Sequence, residues 1–313
     1  MFDIIRYTPD KADIWNRFVA EAKNGTFLFD RNYMDYHSDR FNDHSLMFYE
    51  KNRLLAVLPG HISGDGYFTH KGLTYGGLLM SIQLSVVQTM ELFQQLNNYL
   101  RSIGIKRVYY KCIPWIYHRF PAEEDLYALY HVCKARMVAR DYSTNIFLRA
   151  GLRWERVRRR GVVRAQKAGL TVRRSDHYAD FWKVLSDNLG NKYGIKPVHS
   201  LQEIELLRSR FPENIILYEA VKDGQVIAGV VLYLSSQVVH AQYSSATPEG
   251  KSLGAIDLIY EQIMLHDYVN YPYFDFGRST ENPDGSGLNE SLAFQKEGFG
   301  GRGLCYDIYE YDL

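Results

Sequence analysis

Cysteine is scarce in this chain. Of 313 residues only Cys112, Cys133 and Cys305 are cysteines, and none has CxxC or metal-ligand spacing. A disulfide scaffold and a cysteine-held zinc are both excluded. Buried thiols in a reducing, cytoplasmic compartment are the expected reading, and no metal is expected. No apolar run approaches the roughly 18 residues of a membrane span, so no membrane insertion is expected. The first residues, Met1 to Arg6, lack a basic segment followed by an apolar one, so no signal peptide is expected. No HExxH spacing and no persuasive Cys/His pairing points to metal or thiol chemistry.

Net charge is nearly absent as well, with 37 Lys and Arg against 36 Asp and Glu. The balance conceals an uneven distribution. Residues 1–150 carry net +3, residues 151–174 net +8, and residues 175–313 net −10. A localised basic segment beside an acidic half can steer a charged ligand. Tyrosine, by contrast, is abundant, with 25 residues. It suits strands, and it also suits a polar, aromatic-lined cleft.

Periodicity and punctuation divide the chain into two halves with one order of elements. The first half reads as a strand at 2–7, helices at 10–23 and 32–41, and strands at 45–50 and 53–59 around Lys51-Asn52. A strand-rich stretch at 67–80 follows, then a Ser85-capped helix to about 103, a strand at 107–113, a helix at 122–131 and strands within 135–148. The second half reads as a strand at 170–174 and helices at 177–189 and 200–210. Strands at 215–221 and 225–234 flank Asp223-Gly224, a hairpin signal, and a strand at 237–245 follows. A helix at about 252–266, a strand at 272–277, a short helix at 287–296 and a strand at 304–311 complete it. The fold class is α/β (α+β), as two tandem domains at 1–150 and 151–313. Each is a mixed, mostly antiparallel sheet flanked by helices.

Three stretches carry a family resemblance. They are Arg153-Trp154-Glu155-Arg156-Val157-Arg158-Arg159-Arg160, the strand Tyr273-Phe274-Asp275-Phe276-Gly277, and Phe294-Gln295-Lys296-Glu297-Gly298-Phe299-Gly300-Gly301. They resemble, in order and spacing, the basic helix, the "fDFG" strand and the "FKxxFGG" segment of the FemAB-like, double-GNAT acyltransferases. The element order resembles the GNAT (acyl-CoA N-acyltransferase) fold. The resemblance implies acyl or aminoacyl transfer to an amine of a cell-envelope or sugar-linked precursor. Acyl-CoA is a possible donor. Aminoacyl-tRNA is a possible but less favoured partner, because the acidic second half opposes a broad tRNA footprint. A small-molecule or nucleotide-linked anionic substrate is expected. A non-catalytic double-GNAT protein holding an anionic ligand is the alternative of a different class.

Such transfer needs an amine nucleophile and charge stabilisation for a tetrahedral intermediate, with no covalent enzyme nucleophile. Lys296 matches the family's lysine and is the expected charge stabiliser. Asp275, on the "DFG" strand, can orient an amine or pair with Arg278. His240 and Gln242 are expected on one face of a strand, with Tyr243 on the other. Lys251, Ser252, Leu253, Gly254 and Ala255 are the degraded counterpart of the GNAT pyrophosphate loop, which opens a helix. Gly250-Lys251-Ser252 is also a P-loop near-miss that lacks the first glycine. On the basic helix, Arg153, Arg156, Arg160, Arg164 and Lys167 share one face, either solvated or in contact with phosphate. Val157, Gly161, Ala165 and Ala168 form a second, narrow apolar stripe. His70, Lys71 and Tyr75 in a glycine-rich bend are expected to line substrate, as is Tyr193 beside His199.

Overall fold

A computed structural model describes residues 1–151 and 153–313, and for residues 191–193 the backbone alone. Tyr193, expected at the site, therefore has a side chain outside the described set. The described residues form two compact units. The first comprises residues 1–142, 280–287 and 305–313, and the second comprises 143–279 and 288–304. This differs from the expected division at 150/151, because strand hydrogen bonds ignore sequence distance. The last strand sends residues 308–312 back to residues 107–111 in the first unit.

In the first unit the chain runs β1 Asp3–Arg6, α1 Ala12–Glu21, α2 Arg31–Met34, β2 Asn42–Asp43, β3 Leu46–Glu50 and β4 Arg53–Leu58. It continues through β5 His61–Ser63, β6 Gly66–Phe68, β7 Leu79–Met80, α3 Val86–Ser102, β8 Arg107–Lys111 and α4 Glu124–His131, and enters β9 Arg136–Phe147. The helix expected at 32–41 is one α turn followed by a 3-10 stretch, broken where His37 leaves helical geometry. Ser85 caps α3 with a reciprocal Gln88 contact, as its sequence spacing implies. One group of strands has the order β1-β3-β4-β7, with antiparallel pairs. In another, β6 and β8 pair in parallel. Apolar residues of α3, including Leu92, Phe93 and Leu96, close the core with Leu46, Phe48 and Tyr110.

The second unit takes the end of β9 and then α5 Arg156–Lys167, β10 Thr171–Ser175, α6 Tyr178–Tyr193, α7 Leu201–Arg210, β11 Ile215–Lys222, β12 Gln225–Leu234 and β13 Val238–Ala246. It continues through α8 Pro248–Leu253, α9 Ala255–Glu261, β14 Tyr273–Arg278, α10 Glu290–Glu297 and the start of β15 Arg302–Asp312. The strand order is β10-β11-β12-β13-β14-β9, antiparallel except for β13 with β14. A parallel pair needs a helical crossover, which α8 and α9 supply. The single helix expected at 252–266 is broken because Gly254 adopts φ +81°, ending α8 and starting α9. Residues 262–267 then relax into a π turn.

Helix α5 packs on α9 through a backbone-level approach. A Cβ on Gly161 would stand 1.8 Å from Asp257 Oδ2, and one on Gly254 would stand 2.5 Å from the Gly161 carbonyl. The buried stripe of α5 is Gly161, Val162 and Ala165. Val157, expected in that stripe, is 50% exposed, because the close approach at Gly161 sets which side of the helix faces inward. Gly161→Ala is expected to lower stability by about 1–3 kcal/mol, read by chemical denaturation.

The first unit also buries imidazoles. His70 lies 5.2 Å from His61 and 5.5 Å from His37, ring to ring, and His61 stacks on Phe68. Burial pushes His61 down to about 4, helped by the Lys71 charge, and His70 down to about 2, helped by His61 and His37. Burial also lowers His118 to about 4. These groups are neutral in the fold and protonate more readily unfolded, where histidine titrates near 6.5. Their contribution is therefore present above pH about 6.5 and lost as pH falls towards about 4. Denaturation midpoints measured at pH 7.5 and 5 are expected to fall on acidification, and His61→Phe should reduce the drop.

Candidate functional site

The parallel pairing of β13 and β14 is short. Val238, Val239 and His240 pair with Tyr273, Phe274 and Asp275, and the ladder among the described residues stops there. Beyond it β13 keeps its partner β12 as far as Ala246. Where the parallel ladder ends, polar side chains gather. His240 Nδ1 lies 2.9 Å from Asp275 Oδ2. Asp275 is fully buried, and its other oxygen accepts from Ser143 Oγ at 2.7 Å and from the Gly277 N–H at 3.1 Å. A carboxylate held this way accepts a proton-bearing Nδ1, which leaves the His240 Nε2 lone pair as the basic position.

Lys296, from α10, meets the same turn. Its ammonium donates to the carbonyls of Gly277 at 2.8 Å and Arg278 at 2.7 Å, and to Ser279 Oγ at 2.9 Å. Three donors meet three acceptors. Burial pushes this lysine down to about 8, with the Asp275 charge pulling the other way. Gly277 has φ +73°, and a Cβ there would stand 3.2 Å from His240 Cε1. The lysine thus fixes a left-handed bend that lies against the imidazole. His240, Asp275 and Lys296 converge on one turn, while the exposed Arg278 gives that turn its carbonyl.

The expected alternation along β13 fails at one residue. The register with β12 shifts so that Val231 pairs with Tyr243 and Leu232 with Ala241. Gln242 is the extra residue of a β-bulge, and the bulge returns Tyr243 to the face of His240. Tyr243 packs edge-on against Trp182, and its hydroxyl lies 2.6 Å from His199 Nδ1. Burial pushes Tyr243 up to about 12. The Gln242 Oε1 is buried without a hydrogen-bond partner among the described residues.

On the opposite face, aromatic rings fill the space beside the end of the parallel ladder. Tyr260 packs on Phe274, Phe276 and Phe299, and Trp154 stands edge-on to Phe299.

The residues expected as a phosphate loop form the end of α8 and the start of α9. Lys251, Ser252 and Leu253 lie inside α8 rather than ahead of a helix. At the start of α9, the Gly161 backbone of α5 closes on Gly254, and Ala255 is fully buried. At the start of α8, Thr247 Oγ1 already accepts from the Gly250 N–H at 3.0 Å. The close approach thus covers Gly254 and Ala255, whereas Lys251 and Ser252 are exposed. Gly250 to Gly254 also spell G-x-S-x-G. A nucleophile of that kind sits on a strand–helix turn, whereas Ser252 lies within α8 and donates to the Glu249 carbonyl at 2.8 Å. A cleft of 780 Å³ lies between α6 and the start of α8, lined by Lys183, Asp187, Asn188, Thr247 and Lys251. Its lining does not include His240, Asp275 or Lys296.

The first-unit candidates are committed locally. His70 is buried at φ +73°. The Lys71 ammonium sits 3.7 Å over the Phe68 ring, and the buried Tyr75 hydroxyl donates to Thr26 Oγ1 at 3.2 Å. Arg156 and Arg160 are exposed on α5. Sequence reasoning missed Ser143 and the Arg158–Asp257 ion pair of 3.0 Å. Ser143 meets Asp275 across 132 residues of chain, and no local spacing marks it.

Residues 148–283 match the family model described as an acetyltransferase (GNAT) domain. No curated protein sequence matches. Among solved structures, FemX is similar with TM-score 0.69 and 11% identity, covering 99% of this chain and 97% of FemX. The C-terminal domain of a putative lysylphosphatidylglycerol synthetase from Agrobacterium fabrum is similar with TM-score 0.60 and 13% identity, covering 96% and 91%. A tandem GNAT protein from the clavulanic acid biosynthesis pathway is similar with TM-score 0.50 and 10% identity, covering 100% and 98%.

Lys296→Met removes three donors from buried acceptors. It is expected to destabilise the chain by about 3 kcal/mol, with thermal unfolding as the measure.

Proposed function

We propose, for a chain that carries a GNAT acetyltransferase domain and the fold of tandem GNAT proteins, that it transfers an acyl or aminoacyl group to an amine. The acceptor is a cell-envelope or sugar-linked precursor, and His240 is the general base. The observation that carries this reading is the His240–Asp275 pair at 2.9 Å, backed by Ser143 and the Gly277 N–H. An amine attacks an acyl carbon only through its neutral form, and the bond it makes raises the acidity of its proton. His240 Nε2 accepts that proton, and Asp275 holds the imidazolium that results. The C–N bond forms as the bond from the acyl carbon to its ester or thioester leaving group breaks.

Lys296 acts as a positioning residue. Its donors are engaged by the 277–279 turn, and it sets the bend against which His240 rests. The donor is an activated ester or thioester that is not anchored by a pyrophosphate at the α8–α9 junction. Acyl-CoA held there is disfavoured by the Gly161–Gly254 approach. The Agrobacterium neighbour is a domain of a putative lysylphosphatidylglycerol synthetase, a name in keeping with this class of transfer.

The purified chain, offered a panel of acyl thioesters and aminoacyl esters with amine acceptors, is expected to yield an acylated amine by mass spectrometry. His240→Gln should then lose about a hundred- to ten-thousand-fold in kcat. Transfer that survives this substitution within a few-fold would refute the assignment, and ligand binding with no transfer would favour a non-catalytic binding protein.

A further inference from the structure

Helix α5 presents cations that pair with no carboxylate among the described residues. Arg153, ahead of the helix, and Arg156, Arg159, Arg160, Arg164 and Lys167 within it are all exposed. None of them makes an ion pair with a described residue, whereas Arg158, turned inward, pairs with Asp257. At about 100° per residue, Arg156, Arg159, Arg160, Arg164 and Lys167 fall within one arc of about 140°, over about 16 Å of helix. Apolar side chains share this surface. Val163 lies inside the arc and is 48% exposed, and Val157, at its edge, is 50% exposed. Residues at the end of α10 touch the start of α5, since the Glu155 N–H donates to the Gly298 carbonyl. Phe294, one turn before Gly298, is 62% exposed.

We propose that the outer face of α5 docks on an anionic phospholipid bilayer. Guanidinium groups match phosphate in pairs of hydrogen bonds, so arginine in this number fits a dense array of phosphate headgroups. Valine among the arginines gains nothing from a phosphodiester backbone, but it gains from the boundary between headgroups and acyl chains. Residues 175–313 carry net −10 against +8 for residues 151–174. A bilayer touches only the face turned towards it, whereas a folded RNA curving around the protein would meet that acidic remainder. No helix among the described residues is long and apolar enough to cross a membrane, so the attachment is peripheral and weakens with salt. The proposal does not rest on the acyl-transfer reading.

The test is co-sedimentation of the full chain with vesicles of equal parts phosphatidylglycerol and phosphatidylcholine. Binding is expected at low salt, lost at high salt, and absent on pure phosphatidylcholine. The triple variant Arg156→Gln, Arg160→Gln, Arg164→Gln should bind roughly a hundredfold more weakly. Circular dichroism confirms its fold, and Lys51→Gln with Lys106→Gln and Lys134→Gln, exposed lysines of the first unit, should leave binding unchanged. Absence of binding at low salt, equal binding to pure phosphatidylcholine, indifference to the triple variant, or tighter binding to total tRNA at equal phosphate concentration would each overturn the proposal.

Discussion

The Asp275 carboxylate is the point on which the second unit's chemistry depends. It is fully buried and accepts from Ser143 and from the Gly277 backbone. Its remaining oxygen faces His240. A group so placed is tolerable only because both of its oxygens have hydrogen-bond partners. Each of those partners is in turn fixed. Ser143 lies on a strand paired with β14, His240 lies opposite Asp275 in the parallel ladder, and Gly277 lies in a bend whose carbonyl Lys296 grips. Removing one member leaves a buried charge or acceptor exposed to nothing. The ladder, the bend and the lysine therefore form one unit of structure.

A second constraint lies on the other face of the same strands. Gly161 and Gly254 let α5 meet the α8–α9 junction at backbone distance. Arg158 secures this contact through Asp257 and lies 5.2 Å from the Phe299 ring. Burial raises the Asp257 carboxyl above its ordinary range, against the pull of Arg158. The approach covers Gly254 and Ala255. It also turns the remaining arginines of α5 outward. One packing decision thus covers the start of α9 inside the unit and exposes a basic face outside it.

Much of this was legible in the sequence, for identifiable reasons. The Ser85 cap and the Asp223-Gly224 hairpin are short-range signals and lie where their local chemistry places them. Asp275, His240 and Lys296 were singled out by resemblance and strand position, and the structure brings them to one turn. The failures follow from interactions that sequence spacing does not encode. The bulge at Gln242 arises from register with β12, so simple alternation gave Tyr243 the wrong face. The break at Gly254 splits a helix whose apolar periodicity looked continuous. Ser143 owes its role to a strand far along the chain. His70 and Tyr75 were expected to line substrate, whereas these side chains are buried in the first unit.

The central claim is that His240 accepts the amine proton while Asp275 holds its tautomer. The kcat/KM of Asp275→Asn relative to the wild type, measured at one pH with the donor and acceptor that the transfer panel identifies, tests it most directly. An asparagine amide in place of the carboxylate favours the tautomer with the proton on Nε2. The account predicts a loss of roughly a hundred- to ten-thousand-fold in the variant. A variant rate within a few-fold of the wild type would contradict it.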